Sequence, residues 1–108
     1  MGLAELAYRL TRRFPREEVY GMTSQIRRSA ASIAANIAEG HGRENSGAFV
    51  QYLRMSQGSL KELETHLMLA TRVSLAKEED VAPFLRRCDD LGKMIRSLIR
   101  SIQRREDR

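Results

Sequence analysis

Apolar residues recur along most of this chain at alternating intervals of three and four positions, which places them on one face of a helix. The pattern is longest in two stretches, which predict helices over about 46–74 and about 79–104. The face of the first consists of Phe49, Leu53, Ser56, Leu60, Leu63, Leu67 and Ala70. The face of the second consists of Val81, Phe84, Cys88, Leu91, Ile95, Leu98 and Ile102. We expect burial and mutual contact between these helices for Leu60, Leu63, Leu67, Leu91, Ile95 and Leu98.

Two shorter stretches predict helices over about 3–13 and about 23–39. Gly40 is expected to end the second of these as a C-cap in the left-handed region. Asn45 or Ser46 is expected to cap the start of the third helix. Four amphipathic helices with short connections predict an all-α fold, namely an antiparallel up-down-up-down four-helix bundle that forms a single domain over residues 1–108.

The chain contains no apolar run near the roughly 20 residues that span a bilayer. Its first residues, Met1-Gly2-Leu3-Ala4-Glu5, do not have the charged and then apolar pattern of a signal peptide. Cys88 is the one cysteine, so no internal disulfide can form, which is typical of a reducing compartment. These features predict a cytoplasmic protein without membrane association.

Residue types that perform catalysis or bind metals are few in this sequence. His66 follows Glu62 by four positions, whereas di-iron bundles use Glu and His three positions apart. No Ser/His/Asp set, zinc spacing or dinucleotide fingerprint is present. The glycines on either side of His41 are compatible with an anion-binding loop. Phosphate-binding loops of this kind follow a strand, however, whereas a helix precedes these glycines. We therefore expect no enzymatic activity, metal or cofactor.

Charge gives the first indication of function. Nineteen basic residues against fourteen acidic residues give a net charge of +5. Sixteen of the basic residues are Arg, whose planar set of donors suits phosphate. Advancing about 100° per residue places four basic residues on the side of the fourth helix opposite the core, in a line that Asp90 interrupts: Arg86, Lys93, Arg100 and Arg104. A second group surrounds the first connection: Arg12, Arg13, Arg16, Arg27 and Arg28.

These two groups are the candidate nucleic-acid-binding residues. The hypothesis is binding of structured RNA or a ribonucleoprotein, with RNA favoured over DNA. Recognition is expected to use backbone and shape, since few aromatic residues are present for base stacking. The alternative is a protein–protein scaffold with no nucleic-acid role, in which the charge is only a solvated surface. Met55, Leu69 and Val73 share the far side of the third helix, which predicts self-association.

Three segments of the chain resemble a known family. They are Tyr8-x-Leu10-Thr11-x-x-Phe14-Pro15-x-Glu17-Glu18-x-Tyr20-Gly21-Met22-Thr23-Ser24-Gln25-Ile26-Arg27-Arg28-Ser29-Ala30, then Ser32-Ile33-x-Ala35-Asn36-Ile37-Ala38-Glu39-Gly40, and Gly58-Ser59-Leu60-x-Glu62-Leu63-Glu64. From about Tyr8 to the end of the fourth helix, the chain resembles the four-helix-bundle proteins encoded by intervening sequences of bacterial 23S ribosomal RNA genes. It departs from them at Ala34, where members often carry Pro, and in its shorter first helix.

The resemblance implies a cytosolic bundle that assembles into a homopentameric ring, and it supplies no catalytic site. Related accessory proteins of diversity-generating retroelements bind a reverse transcriptase and nucleic acid through basic surfaces. A second copy of the chain, nucleic acid and a reverse transcriptase or other protein are therefore the partners that the resemblance implies.

Overall fold

Four α-helices joined by short connections make up the described part of the chain. The computed structural model describes residues 2–106, which contain no strand. The helices are α1 (Leu3–Thr11), α2 (Met22–His41), α3 (Ser46–Arg72) and α4 (Glu78–Glu106), and a 3-10 turn (Arg16–Glu18) precedes α2. The described part measures 52 × 23 × 20 Å, an elongated shape set by the lengths of α3 and α4. None of its helices combines the length and the apolarity that a bilayer crossing requires.

The helix boundaries differ from the predicted ranges by no more than two residues at either end. Asn45, of the two candidates, caps α3, because its Oδ1 accepts a hydrogen bond from the Ala48 backbone N–H at 3.0 Å. α3 ends where Ser74 adopts the left-handed conformation, with φ of 63°. The backbone N–H of Leu75 then donates to the Ala70 carbonyl at 2.9 Å, which satisfies a carbonyl of the last turn.

Gly40 lies within α2, so the prediction that it forms a left-handed C-cap is wrong. α2 continues to His41, Gly42 follows with φ of −78°, and no described glycine has a positive φ. Gly40 is instead buried against α3. A Cβ at this position would lie 2.6 Å from Cβ of Tyr52 and 3.0 Å from Cδ1 of Phe49. Gly40 is therefore required by the close approach of two helices and not by backbone conformation.

Small polar side chains continue the contact between α2 and α3. The Ser56 hydroxyl is fully buried and donates to the Ile33 carbonyl at 3.1 Å. The hydroxyls of Ser32 and Ser59 lie 2.9 Å apart, within hydrogen-bond distance. The two helices are thus joined by small residues over several turns, which keeps their axes close.

Two apolar clusters form the core. The larger one combines α1, α2, α3 and the first half of α4, and it includes Ala7, Ile26, Leu60, Leu63, Leu67, Phe84 and Cys88. The smaller one consists of Leu53, Ile95, Ile99 and Ile102. Leu91 is partly buried and packs against both clusters. The core is therefore continuous along the bundle through Leu91.

The predicted buried face of α4 is wrong at Leu98, which is 37% exposed, and Leu91 is only partly buried. Gly92 and Ile99 occupy the buried positions instead. A straight helix has 3.6 residues per turn, so its buried face drifts by about 20° per heptad from a strict seven-residue repeat. Ile95 belongs to the smaller cluster, whereas Leu60, Leu63 and Leu67 belong to the larger one. The six residues that were predicted to be in mutual contact between the third and fourth helices are therefore divided between two clusters.

α1 is a short helix held between α2 and α4. The Arg27 guanidinium lies 4.2 Å from the centre of the Tyr8 ring, and its Nε donates to Oγ1 of Thr11 at 2.8 Å. Thr11 is buried and donates in turn to the Ala7 carbonyl at 2.7 Å. With nine residues, α1 is about 13 Å long and covers only part of the length of α4.

Candidate nucleic-acid interface

A row of basic side chains follows the solvent side of α4. Arg86, Lys93, Arg100 and Arg104 are all exposed, whereas Cys88 and Ile95 on the opposite side are buried. The row spans eighteen positions, or about 27 Å at the helical rise per residue. Lys93 forms an ion pair with Asp89, with Nζ and Oδ2 3.1 Å apart. The structure thus places four of the candidate residues on one long, cationic helix face.

The second group of candidate residues divides into two kinds. Arg12, Arg13, Arg16 and Arg28 are exposed around the connection between α1 and α2. Arg27 is half-buried, and its contacts with Tyr8 and Thr11 attach α1 to α2. The structure gives Arg27 a structural role, and a phosphate contact by this side chain stays a prediction.

A cleft between α1 and α4 brings the two groups together. Its volume is about 610 Å³, and both Arg13 and Arg86 line it. Nη1 of Arg13 lies 3.7 Å from Oδ2 of Asp80, the last residue of the acidic first turn of α4. Both side chains of this pair are substantially exposed, so the pair orients Arg13 toward α4 but adds little to stability.

Arg9 and Arg87 also line this cleft and were not among the candidate residues. Arg9 precedes Arg13 by four positions, which places both on one side of a helix, so the sequence contains a signal for Arg9. Arg87 adjoins Arg86, but the sequence alone does not show that α1 packs beside it. The cleft therefore has arginines from both of its helices.

The stretch after Gly40, considered above as an anion-binding loop, is occupied by contacts within the protein. Nη2 of Arg43 donates to the Tyr52 hydroxyl at 2.9 Å and to Oε2 of Glu39 at 3.2 Å. The Arg43 guanidinium also lies 5.1 Å from the centre of the Tyr52 ring. The ring of His41 meets Phe49 edge-on at 5.9 Å. These contacts attach the end of α2 to the start of α3.

The Cys88 thiol is buried in the larger apolar cluster. Burial, and secondarily the negative charge of Glu64, raises its pKa to about 12. A thiolate is the reactive form of cysteine, so Cys88 is protonated and unreactive near neutral pH. Residues 2–106 contain no group of three or more His, Cys, Asp or Glu side chains arranged to hold a metal ion.

Comparisons with known proteins agree on one family. The model of the family described as 23S rRNA-intervening sequence protein matches residues 1–97. The chain is similar to a solved structure from Bacteroides thetaiotaomicron, a protein of unknown function from the S23 ribosomal protein family. The two are 25% identical, with a TM-score of 0.77, over 88% of this chain and 92% of that one. No protein of curated function matches significantly. The chain belongs to the 23S rRNA-intervening sequence protein family.

Proposed function

We propose that this protein is a non-enzymatic, cytoplasmic RNA-binding bundle that recognises structured RNA by its backbone and shape. The observation that carries the proposal is the row of exposed basic side chains along α4, which lies opposite the buried side of that helix. Phosphate groups attract such a row without regard to base sequence. The arginines at the α1–α4 cleft extend the same surface toward the first connection.

Shape recognition fits the small number of open aromatic faces: two of the three tyrosines have one ring face covered by an arginine, and Tyr20 is 95% exposed. The ring of Tyr8 has the Arg27 guanidinium over one face, so that face is not open to a base. Tyr52 is covered in a similar way by Arg43. Duplex RNA is recognised mainly by its shape and by phosphate and 2′-hydroxyl contacts. We therefore expect RNA to bind more tightly than DNA of the same length.

The proposal includes an antiparallel bundle that assembles into a homopentameric ring. Two contacts support the antiparallel arrangement: Gly40 meets Tyr52 near the α2–α3 connection, and Ser32 meets Ser59 farther from it. The exposed apolar side chains of Met55, Leu69 and Val73 on α3 support association between copies. A ring would repeat each basic surface in every subunit, and the repetition would convert weak phosphate contacts into useful avidity.

A protein–protein scaffold is the second candidate function. It is favoured by the same exposed apolar side chains on α3 and by Tyr20, which is 95% exposed near the start of α2. Its partner would be a reverse transcriptase or another protein. The scaffold requires no affinity for nucleic acid, so a binding measurement distinguishes it from the first candidate.

The proposal is tested by fluorescence anisotropy with a blunt-ended, fully paired RNA duplex over a series of salt concentrations. Charge reversal by Arg100→Glu with Arg104→Glu is expected to weaken binding at least about tenfold and to reduce the slope of log K against log salt by about two, one per phosphate contact. Both side chains are exposed and distant from the cleft, so the fold is expected to persist.

The matched control is Arg54→Glu with Arg72→Glu on α3. Each pair combines one arginine within a helix and one in its last turn, and each changes the net charge equally. The control pair is expected to weaken RNA binding much less than the Arg100→Glu and Arg104→Glu pair does. Equal weakening by both pairs would show that net charge, and not the α4 face, determines binding. Absence of RNA binding by the parent at low salt would leave the scaffold as the function.

A further inference from the structure

The α1–α4 cleft combines an apolar floor with a charged mouth. Leu6 and Leu10 from α1 and Phe84 from α4 form the floor. Arg9 approaches from α1, Arg13 from two residues beyond the end of α1, and Arg86 from α4. The cleft volume of about 610 Å³ lies within the range of sites that hold small organic molecules.

The apolar part of the cleft is narrow. Phe84 is only 3% exposed, and Leu6 and Leu10 are partly buried. None of the three is among the strongly exposed large apolar residues of the described chain. Pro83 is exposed and contributes a flat wall beside Phe84. A single planar ring would cover this floor, whereas a protein interface requires a much wider apolar surface.

The charges of the cleft favour a ligand that carries both an anion and hydrogen-bond donors. Guanidinium groups at the mouth match the geometry of a phosphate. Asp80 and Asp90 line the same cleft and supply only acceptor oxygens. An acidic peptide would bring like charges to these two carboxylates. A nucleotide would instead bring a phosphate to the arginines and base N–H groups to the carboxylates.

We propose that the α1–α4 cleft holds one unpaired nucleotide of a bound RNA, with its base against Leu6, Leu10 and Pro83 and its phosphate at Arg13 and Arg86. This inference rests on the proposed RNA-binding function. It adds a preference for RNA with a bulged or looped-out nucleotide, since unpaired bases are those that proteins can enclose in a pocket. The α4 row would then hold the adjacent helical RNA.

The test compares two blunt-ended RNA duplexes that are identical except for one bulged nucleotide. The parent protein is expected to bind the bulged duplex about tenfold more tightly than the paired one, a difference that corresponds to burial of roughly 55 Å² of apolar surface. Pro83→Phe is expected to occupy the position proposed for the base and to abolish this preference while binding of the paired duplex is retained. Pro83 lies within α4 and lacks a backbone N–H, so its replacement restores a helix hydrogen bond and the variant is expected to fold.

Met94→Phe is the matched control, because it places the same ring on an exposed position of α4 that does not line the cleft. It is expected to keep the preference for the bulged duplex. Equal binding of both duplexes by the parent would overturn the inference and leave the proposed function intact, whereas absence of RNA binding by the parent would contradict the proposed function itself. The inference would also be overturned if Pro83→Phe kept the preference. A final measurement adds an excess of a short Glu- and Leu-rich helical peptide to each RNA complex. If the peptide displaces the bulged RNA from the parent but not from Pro83→Phe, the inference is overturned and the cleft is assigned to a protein partner.

Discussion

Gly40 determines how closely α2 and α3 approach near their connection. The position is buried, and the nearest atom to a Cβ placed there would be Cβ of Tyr52. That atom is attached directly to the backbone of α3, so it can move only if the helix moves. The contact therefore requires the absence of a side chain, although glycine ordinarily weakens a helix interior.

Gly40→Ala is expected to destabilise the protein, by about 1–3 kcal/mol, because overpacking at 2.6 Å outweighs the gain in helix propensity. Gly58→Ala is the matched control within α3, where a Cβ would meet no atom within 4 Å. This second change is expected to stabilise by about 0.5–1 kcal/mol. Urea unfolding at a fixed protein concentration measures both effects. Stabilisation by Gly40→Ala would contradict the close approach described here.

Arg27 affects the candidate interface indirectly. Its contacts with Tyr8 and Thr11 hold α1 in place, and Arg13, two residues beyond the end of α1, lines the cleft with Arg86. Loss of RNA binding on replacement of Arg27 would therefore not distinguish a phosphate contact from a displaced helix. Arg100 and Arg104 are better choices for testing the interface, because both are exposed on α4.

The buried side of α4 keeps the predicted seven-residue repeat along one row of residues and departs from it along the other. Val81, Cys88, Ile95 and Ile102 are seven positions apart and are all buried, as predicted. Phe84, Leu91 and Leu98 are also seven positions apart, but each step turns this row about 20° farther from the buried side. Leu91 is therefore only partly buried and Leu98 is exposed, and Gly92 and Ile99 take the buried positions.

Leu63→Ala is expected to cost about 2–5 kcal/mol, since the side chain is fully buried in the larger cluster. Leu98→Ala removes the same atoms from a partly exposed site and is expected to stay within about 1 kcal/mol. The difference between the urea midpoints of the two variants, at unchanged m-value, measures the difference between their free energies of unfolding. A cost for Leu98→Ala as large as that for Leu63→Ala would mean that Leu98 is covered in solution.

The sequence predicts those features that depend on one helix at a time. The order of the four helices, their approximate ends and the Asn45 cap follow from apolar spacing and capping chemistry. The role of Gly40 could not be predicted, because it depends on Tyr52 and Phe49 across a helix contact. The α1–α4 cleft could not be predicted for the same reason. Apolar spacing identifies the face of α1 that is buried but not which helix lies beside Arg9 and Arg13.

α3 packs against both α2 and α4. One side of α3 nevertheless carries exposed apolar side chains: Met55, Leu69 and Val73 are 49%, 44% and 55% exposed. Isolated exposed apolar residues are ordinary in a monomer. Three along one side of a helix support the proposed self-association. A second copy of the chain is the occupant that the proposed ring requires.

Light scattering of dilute protein is expected to give a mass about five times the 12.4 kDa of one chain. Leu69→Glu with Val73→Glu is expected to lower this mass, because burying two carboxylates at a subunit contact is costly. Met94→Glu provides the control, since Met94 is equally apolar and 67% exposed but lies on α4. Its mass is expected to equal that of the parent. A parent mass of 12.4 kDa would refute self-association, and a lower mass for Met94→Glu alone would assign the subunit contact to α4.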